Sequence, residues 1–200
     1  EPILAAIARR QPDFQDDFSD KSGGWTKATF CANWGDLNFD EGELTISGSC
    51  WIFRDMWYPD FVAELDYHFL PGTGTAGSHW GFKYRHLAGG ADAASNAYKF
   101  HYSGDVSAEL VTSSTLDRGS VETTFLQDAA LRGTNTNHVL VIAKGQAYAL
   151  YINSRPVFHK IGNPIWPNGA IQFDMDDTVA IDNFKIWDIS GISLEATPAP

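Results

Sequence analysis

Phe61-Val62-Ala63-Glu64-Leu65-Asp66-Tyr67-His68-Phe69-Leu70 alternates through its whole length. Phe61, Ala63, Leu65, Tyr67 and Phe69 fall on one side, and Val62, Glu64, Asp66, His68 and Leu70 on the other. A period of two marks a strand with one face in a core, because successive side chains point to opposite sides of the pleat. The opposite face then presents Glu64, Asp66 and His68 in a row. That row is either the floor of a working groove or a merely wetted surface.

Similar runs recur on both sides of this strand, with turn signals between them. Leu44-Thr45-Ile46 is followed by Ser47-Gly48, and Trp80-Gly81-Phe82-Lys83-Tyr84-Arg85 ends before Ala88-Gly89-Gly90. Tyr98 to Tyr102 alternates in the same way. Val139 to Ala143 turns at Lys144-Gly145 into Ala147 to Ile152, with a further turn at Asn153-Ser154. Ala170 to Phe173 and Val179 to Trp187 close the series. Strands joined by short loops, with no convincing amphipathic helix, predict two packed antiparallel sheets. Only residues 125–132 suggest a helical turn or two.

Composition supports this. Two hundred residues suit one domain with a sizeable core. There are 13 Phe, 7 Tyr, 7 Trp and 18 Gly, a mixture that favours strands and tight turns. The formal net charge is −11, which repels phosphate backbones and anionic lipid. Nucleic acid is excluded as a partner on that ground. No apolar run reaches about 18 residues, so membrane insertion through a helix is excluded too.

The two cysteines, Cys31 and Cys50, both sit in or beside strand-like runs. A disulfide between them would add about 3 kcal/mol by restricting the unfolded chain, and two buried thiols are the alternative. An oxidised pair implies an extracellular protein. The chain opens at Glu1 with no initiator Met, which predicts a removed leader and export to the outside or surface of a bacterial-type cell.

Three zones follow: an apolar N-terminal arm over 1–12, a β-rich body over 13–192, and a Pro-rich tail over 193–200. The arm carries Ile3, Leu4 and Ile7 with no partner strand nearby in sequence. It is expected to be extended. It either folds back on its own sandwich or docks on another copy, adding to an open sheet edge or filling a groove. Head-to-tail docking of that kind does not close on itself and builds filaments.

Four segments in order resemble the concanavalin-like, laminin-G-like jelly-roll sandwiches, most closely the bacterial family 16-like or 3-keto-disaccharide hydrolase-type domains. They are Asp16-Asp17-Phe18-Ser19-Asp20 with Gly24-Trp25; the hairpin from Asp60 to Arg85; Ala143-Lys144-Gly145 through Asn153, where Ser154 replaces the usual Gly; and Ile181-Asp182-Asn183-Phe184-Lys185-Ile186. The resemblance covers nearly the whole body and implies an all-β jelly roll. It leaves function open, since this sandwich carries lectins, hydrolases and adhesive modules.

Family 16 glycosidases place their carboxylates on one strand as Glu-x-Asp-x-Glu. A retaining mechanism needs two carboxyl groups roughly 5 Å apart. Glu64 and Asp66 match the first two positions, but His68 stands where the second Glu belongs, and Phe69 stands there in the form of the motif with one extra residue. The expectation is therefore that the chain is not an enzyme. A metal site from His68, His79 or His101 with Glu64 has no supporting spacing. Sugar binding is the better alternative, because sugar C–H faces stack on aromatic rings while hydroxyls need directional partners. Its candidate contacts are Glu64, Asp66, His68, Trp80, Tyr84 and Arg85, with core packing as the ordinary fate of the aromatic members. Aspartates gathered at the two ends of the body, Asp16 and Asp182 among them, suit a structural Ca²⁺.

The leading expectation is an exported structural or adhesive jelly roll that assembles with copies of itself through residues 1–12. A carbohydrate-binding module is the alternative, with a glycoside hydrolase behind it.

Overall fold

The computed structural model describes residues 2–27, 36–46, 48, 50–70, 78–87, 94–102, 106–114, 122–126, 135–161, 170–175 and 179–193. At 78, 79, 85–87, 94–102, 106–114, 122–126, 158, 160 and 161 only the backbone is described. Helix α1 (Pro2–Ile7), strand β1 (Phe14–Asp16) and a 3-10 turn (Lys21–Gly23) open the chain. Next come β2 (Thr26–Lys27), β3 (Leu37–Asp40), β4 (Glu43–Ile46), β5 (Cys50–Arg54), β6 (Phe61–Phe69), β7 (Ser78–Leu87) and β8 (Ala94–Tyr102). The remaining strands are β9 (Val106–Ser114), β10 (Glu122–Leu126), β11 (Asn137–Lys144), β12 (Ala147–Ile152), β13 (Arg155–Ile161), β14 (Ala170–Met175) and β15 (Val179–Asp188).

These strands form two antiparallel sheets. Sheet A runs β13-β12-β11-β6-β15-β4-β3, with β1 also paired to β15, and sheet B runs β10-β9-β8-β7-β14-β5-β2. The alternating strand Phe61–Phe69 is β6, central in sheet A between β11 and β15. Phe61, Ala63, Leu65, Tyr67 and Phe69 all point inward and are at most 2% exposed. Sheet B faces them with Trp80, Phe82 and Tyr84 from β7 and Ile171, Phe173 and Met175 from β14. Each such large side chain removed from water contributes about 1.5–3 kcal/mol, so the aromatic-rich core is the main source of stability.

The turns follow from local chemistry. Asn153 and Ser154 join β12 to β13 with φ of 51° and 66°, the doubly left-handed turn that matches strand twist. Asn153 is held there from outside, accepting from the His138 backbone N–H at 3.0 Å and donating to Asn137 Oδ1 at 3.0 Å. At the β11–β12 turn, Lys144 Nζ donates to Asp60 Oδ2 at 2.8 Å and to the Ile189 carbonyl at 3.0 Å. The Lys-Gly pair is thus a clamp joining that turn to the start of β6 and the end of β15.

The Asp16 to Trp25 opening is also a structural device. Asp16 Oδ1 accepts from the Phe18 N–H and Oδ2 from Trp25 Nε1, both at 2.8 Å. Trp25 then stacks on Phe173, centroids 4.8 Å apart, which ties the opening of the chain to sheet B. Gly23 is required by the Asp16 carboxylate, since a Cβ on it would lie 1.6 Å from Asp16 Oδ2.

Three expectations need correction. The arm is not extended: Pro2–Ile7 is a short helix, with Pro at its first position, where the missing N–H costs no bond. Its apolar residues also find cover within their own chain. Ile3 and Ile7 are buried against Val62, Ile142, Ala149, Trp187 and Ile189 of the same chain, on the outer face of sheet A, with Leu4 packed alongside. Arg10 fastens the joint by donating to the Asp188 carbonyl at 2.9 Å and to Asp13 at 3.2 Å. An apolar half of that sheet face was already waiting, so the arm finds shelter without a partner. Finally, Phe125 and Leu126 end strand β10 rather than starting a helical turn, and 127–132 lies outside the described residues. Cys50 opens β5 with a buried side chain, and Cys31 lies outside the described residues, as does the tail from residue 194.

Candidate functional site

The outer face of sheet A has two halves, set by pairing rows. One row runs Trp187–Val62–Ile142 and lies under α1. The next rows place Lys185 and Leu140 beside Glu64, then Asp182 and His138 beside Asp66. Glu64 Oε1 accepts from Lys185 Nζ at 2.9 Å, and its Oε2 lies 3.8 Å from His138 Nε2. Asp66 Oδ1 meets His138 Nδ1 at 2.8 Å, and Oδ2 accepts from Asn183 Nδ2 at 3.0 Å. His68 Nδ1 stands 3.6 Å from Glu43. Glu64, Asp66 and His68 therefore do share a face, and that face is a ladder of mutually satisfied charges. The partners His138, Lys185 and Asn183 were missed in the sequence because they come from strands more than 70 residues away in pairing order.

Burial pushes the Asp182 carboxyl above the usual carboxylate range, and the charges of Asp66, Glu43 and Asp17 push the same way against the Asn183 donor. Asp16 and Asp182, expected as calcium ligands, each accept local hydrogen bonds: Asp16 from Phe18 and Trp25, Asp182 from Asn183. Among the described residues no three His, Cys, Asp or Glu side chains converge in a way that could hold a metal ion.

Of the remaining sugar-contact candidates, Trp80 and Tyr84 are corrected outright. Both are fully enclosed in the core, where their rings pack against Tyr67 and Phe61. Trp80, Phe82 and Tyr84 share the face of β7 that meets sheet A. Arg85 falls on β7, with its side chain outside the described residues.

The exposed aromatics lie elsewhere. Among the described residues the large exposed hydrophobics are Trp51 (38%), Phe53 (37%) and Trp57 (52%), all within β5 and the loop after it. Trp51 and Phe53 alternate with the core residues Cys50 and Ile52, so both stand on the outer face of sheet B. On the same face, β14 sets Gln172 opposite Phe53 and Asp174 opposite Trp51, and β7 sets Lys83 opposite Gln172. Lys83 Nζ lies 3.4 Å from Asp174 Oδ2 and 4.2 Å from the centre of the Trp51 ring. Gln172 and Lys83 are buried although they point away from the core, while the aromatic rings beside them stay part-exposed. Part-exposed aromatic rings beside polar groups suit a sugar, offering a platform for its C–H face and directional partners for its hydroxyls. The signal was legible in part: Ile171-Gln172-Phe173-Asp174-Met175 alternates, and its two polar members mark the outer face.

The class of fold is settled by this architecture: two antiparallel sheets stacked as the concanavalin-like jelly-roll sandwich. No family model matches the sequence, and no curated protein does. Solved structures resemble it closely in shape. A carbohydrate-binding module, CBM66 of Bacillus subtilis, superposes with a TM-score of 0.64 at 15% identity, over 82% of this chain and 95% of that one. A β-glucanase of Bacillus licheniformis gives 0.63 at 12%, over 89% and 97%. A GlcNAcα1-4Gal-releasing endo-β-galactosidase of Clostridium perfringens gives 0.66 at 12%, over 92% of this chain and 64% of that one. At these identities the likeness establishes the fold.

It also corrects one expectation. The absence of a second Glu after Glu64 and Asp66 does not exclude an enzyme, since the same sandwich is the fold of glycoside hydrolases. The Glu64 strand rules out one carboxylate pattern on one strand, and says nothing of carboxylates elsewhere in the chain.

Proposed function

We propose that this chain recognises carbohydrate through the outer face of sheet B. The observation that carries this is the placement of Trp51 and Phe53, exposed and on one face, beside the polar row of Lys83, Gln172 and Asp174. Its support from outside the chain is the fold, shared with a carbohydrate-binding module and with hydrolases of glycans. The Glu64–Asp66–His68 row is the weaker location: its charges are paired with Lys185, His138 and Glu43, and among the described residues it carries no large exposed aromatic.

Affinity electrophoresis through gels containing laminarin, galactan or xylan tests this. The native chain is expected to be retarded by at least one of them, and Trp51→Ala to run freely. Release of reducing ends in the same mixtures reads out cleavage. An extracellular setting goes with this role, and with it a Cys31–Cys50 bridge. The intact protein should then gain no mass from a thiol-alkylating reagent until it is reduced.

A further inference from the structure

Gln172 is 3% exposed, and its Nε2 is enclosed with no hydrogen-bond partner. An unmet buried donor destabilises the free protein by the desolvation of that group, so its retention calls for an acceptor that arrives later. Ile171 and Phe173 point into the core, which aims Gln172 at the outer face between Phe53 and Lys83. Lys83 is one group that covers it. β14 lies between β7 and β5, and Lys83 starts on β7 beside Gln172 while its ammonium rests over the Trp51 ring of β5. The Lys83 side chain therefore crosses β14 between Gln172 and Asp174. It occupies at once the ring face that a sugar would stack on and the space above the amide.

Resting on the assignment of sheet B as the carbohydrate face, we propose that Lys83 is a displaceable strap over a buried anchor: a neutral sugar ring pushes the ammonium off Trp51, takes its place on the indole, and accepts a hydrogen bond from Gln172 Nε2. The displaced ammonium swings toward solvent and keeps Asp174 within reach, since the pair is 3.4 Å apart and on the same face. The ligand is neutral because the described side chains facing outward here hold one cation and one anion, already paired, on a chain of net charge −11. A polyanion would meet no spare positive charge among them.

The test compares the native chain with Gln172→Leu, Lys83→Ala and Trp51→Ala by affinity electrophoresis, using laminarin and galactan as neutral probes and polygalacturonate as the anionic one. Gln172→Leu should weaken neutral binding about tenfold or more while melting no lower than the native chain, since it removes the unmet donor. Lys83→Ala should bind as tightly or more tightly, since it removes the strap. If Lys83→Ala loses as much affinity as Trp51→Ala, the ammonium is a direct contact and the strap is refuted. Unchanged binding by Gln172→Leu refutes the anchor while leaving the carbohydrate face standing. Unchanged binding by Trp51→Ala instead refutes the face itself. Tighter binding to polygalacturonate, or no binding to any neutral probe, overturns the ligand class. Should either variant melt well below the native chain, Gln172→Met and Lys83→Met serve the same comparison with less change in volume.

Discussion

Truncating the arm contacts gives a sharp test of where α1 belongs. Ile3 and Ile7 are 8% and 7% exposed, packed on the apolar half of sheet A. Changing each to Ala removes three buried carbons. At about 0.8 kcal/mol per buried methylene, that is about 2.4 kcal/mol per site and about 5 kcal/mol for the pair. A six-residue helix has no stability of its own in water, so nothing else in α1 replaces that loss. The remaining ties are the partly buried Leu4 and the Arg10 side-chain hydrogen bonds, the latter largely exposed and worth much less. Ile3→Ala/Ile7→Ala should therefore release the arm, and trypsin should cut at Arg9 and Arg10 far faster than in the native chain. Sedimentation should show both proteins as monomers at every concentration tested. A native oligomer that dissociates in the variant would refute docking within one chain and restore assembly through the arm.

Further outcomes follow from particular contacts. Gly23→Ala places a carbon where the Asp16 carboxylate sits, breaking its bonds to Phe18 and Trp25, and should cost about 2–4 kcal/mol in denaturant melts. Ser154→Gly relieves a left-handed residue at φ 66° and should stabilise by about 0.5–1 kcal/mol, read as a higher melting temperature. Asp182 has its carboxyl pushed up by burial and by neighbouring acids, so the folded state holds that proton more tightly than the unfolded chain does. It therefore opposes folding once pH exceeds its folded value, and less so below it. Asp182→Asn should melt higher than the native protein at pH 7, with the gain shrinking as pH falls through the carboxylate range.

Sequence showed the fold well because its signals are local. The alternation of Phe61 to Phe69, the turns at Gly145 and Asn153, and the Asp16 to Trp25 opening each needed only neighbouring residues to be seen. The site was less legible, for a physical reason. Inward and outward positions of β7 differ by one residue, and nothing local says whether Trp80 or Lys83 meets the core; the core wins the bulkier ring. Likewise Glu64 and Asp66 look available until β11 and β15 bring His138 and Lys185 beside them. The arm misled because its apolar side chains were weighed without the matching apolar patch of Val62, Ile142 and Trp187, which exists only once the sheet is assembled.

Which outer face grips a glycan is the most direct measurement. A glycan array should be read with three forms: the native chain, Trp51→Ala/Phe53→Ala on sheet B, and Glu64→Gln/Asp66→Asn on sheet A. Sugar signals lost in the sheet B double variant and kept in the sheet A one are predicted. Signals that survive at Trp51 and Phe53 but vanish at Glu64 and Asp66 would contradict the placement of the binding face on sheet B.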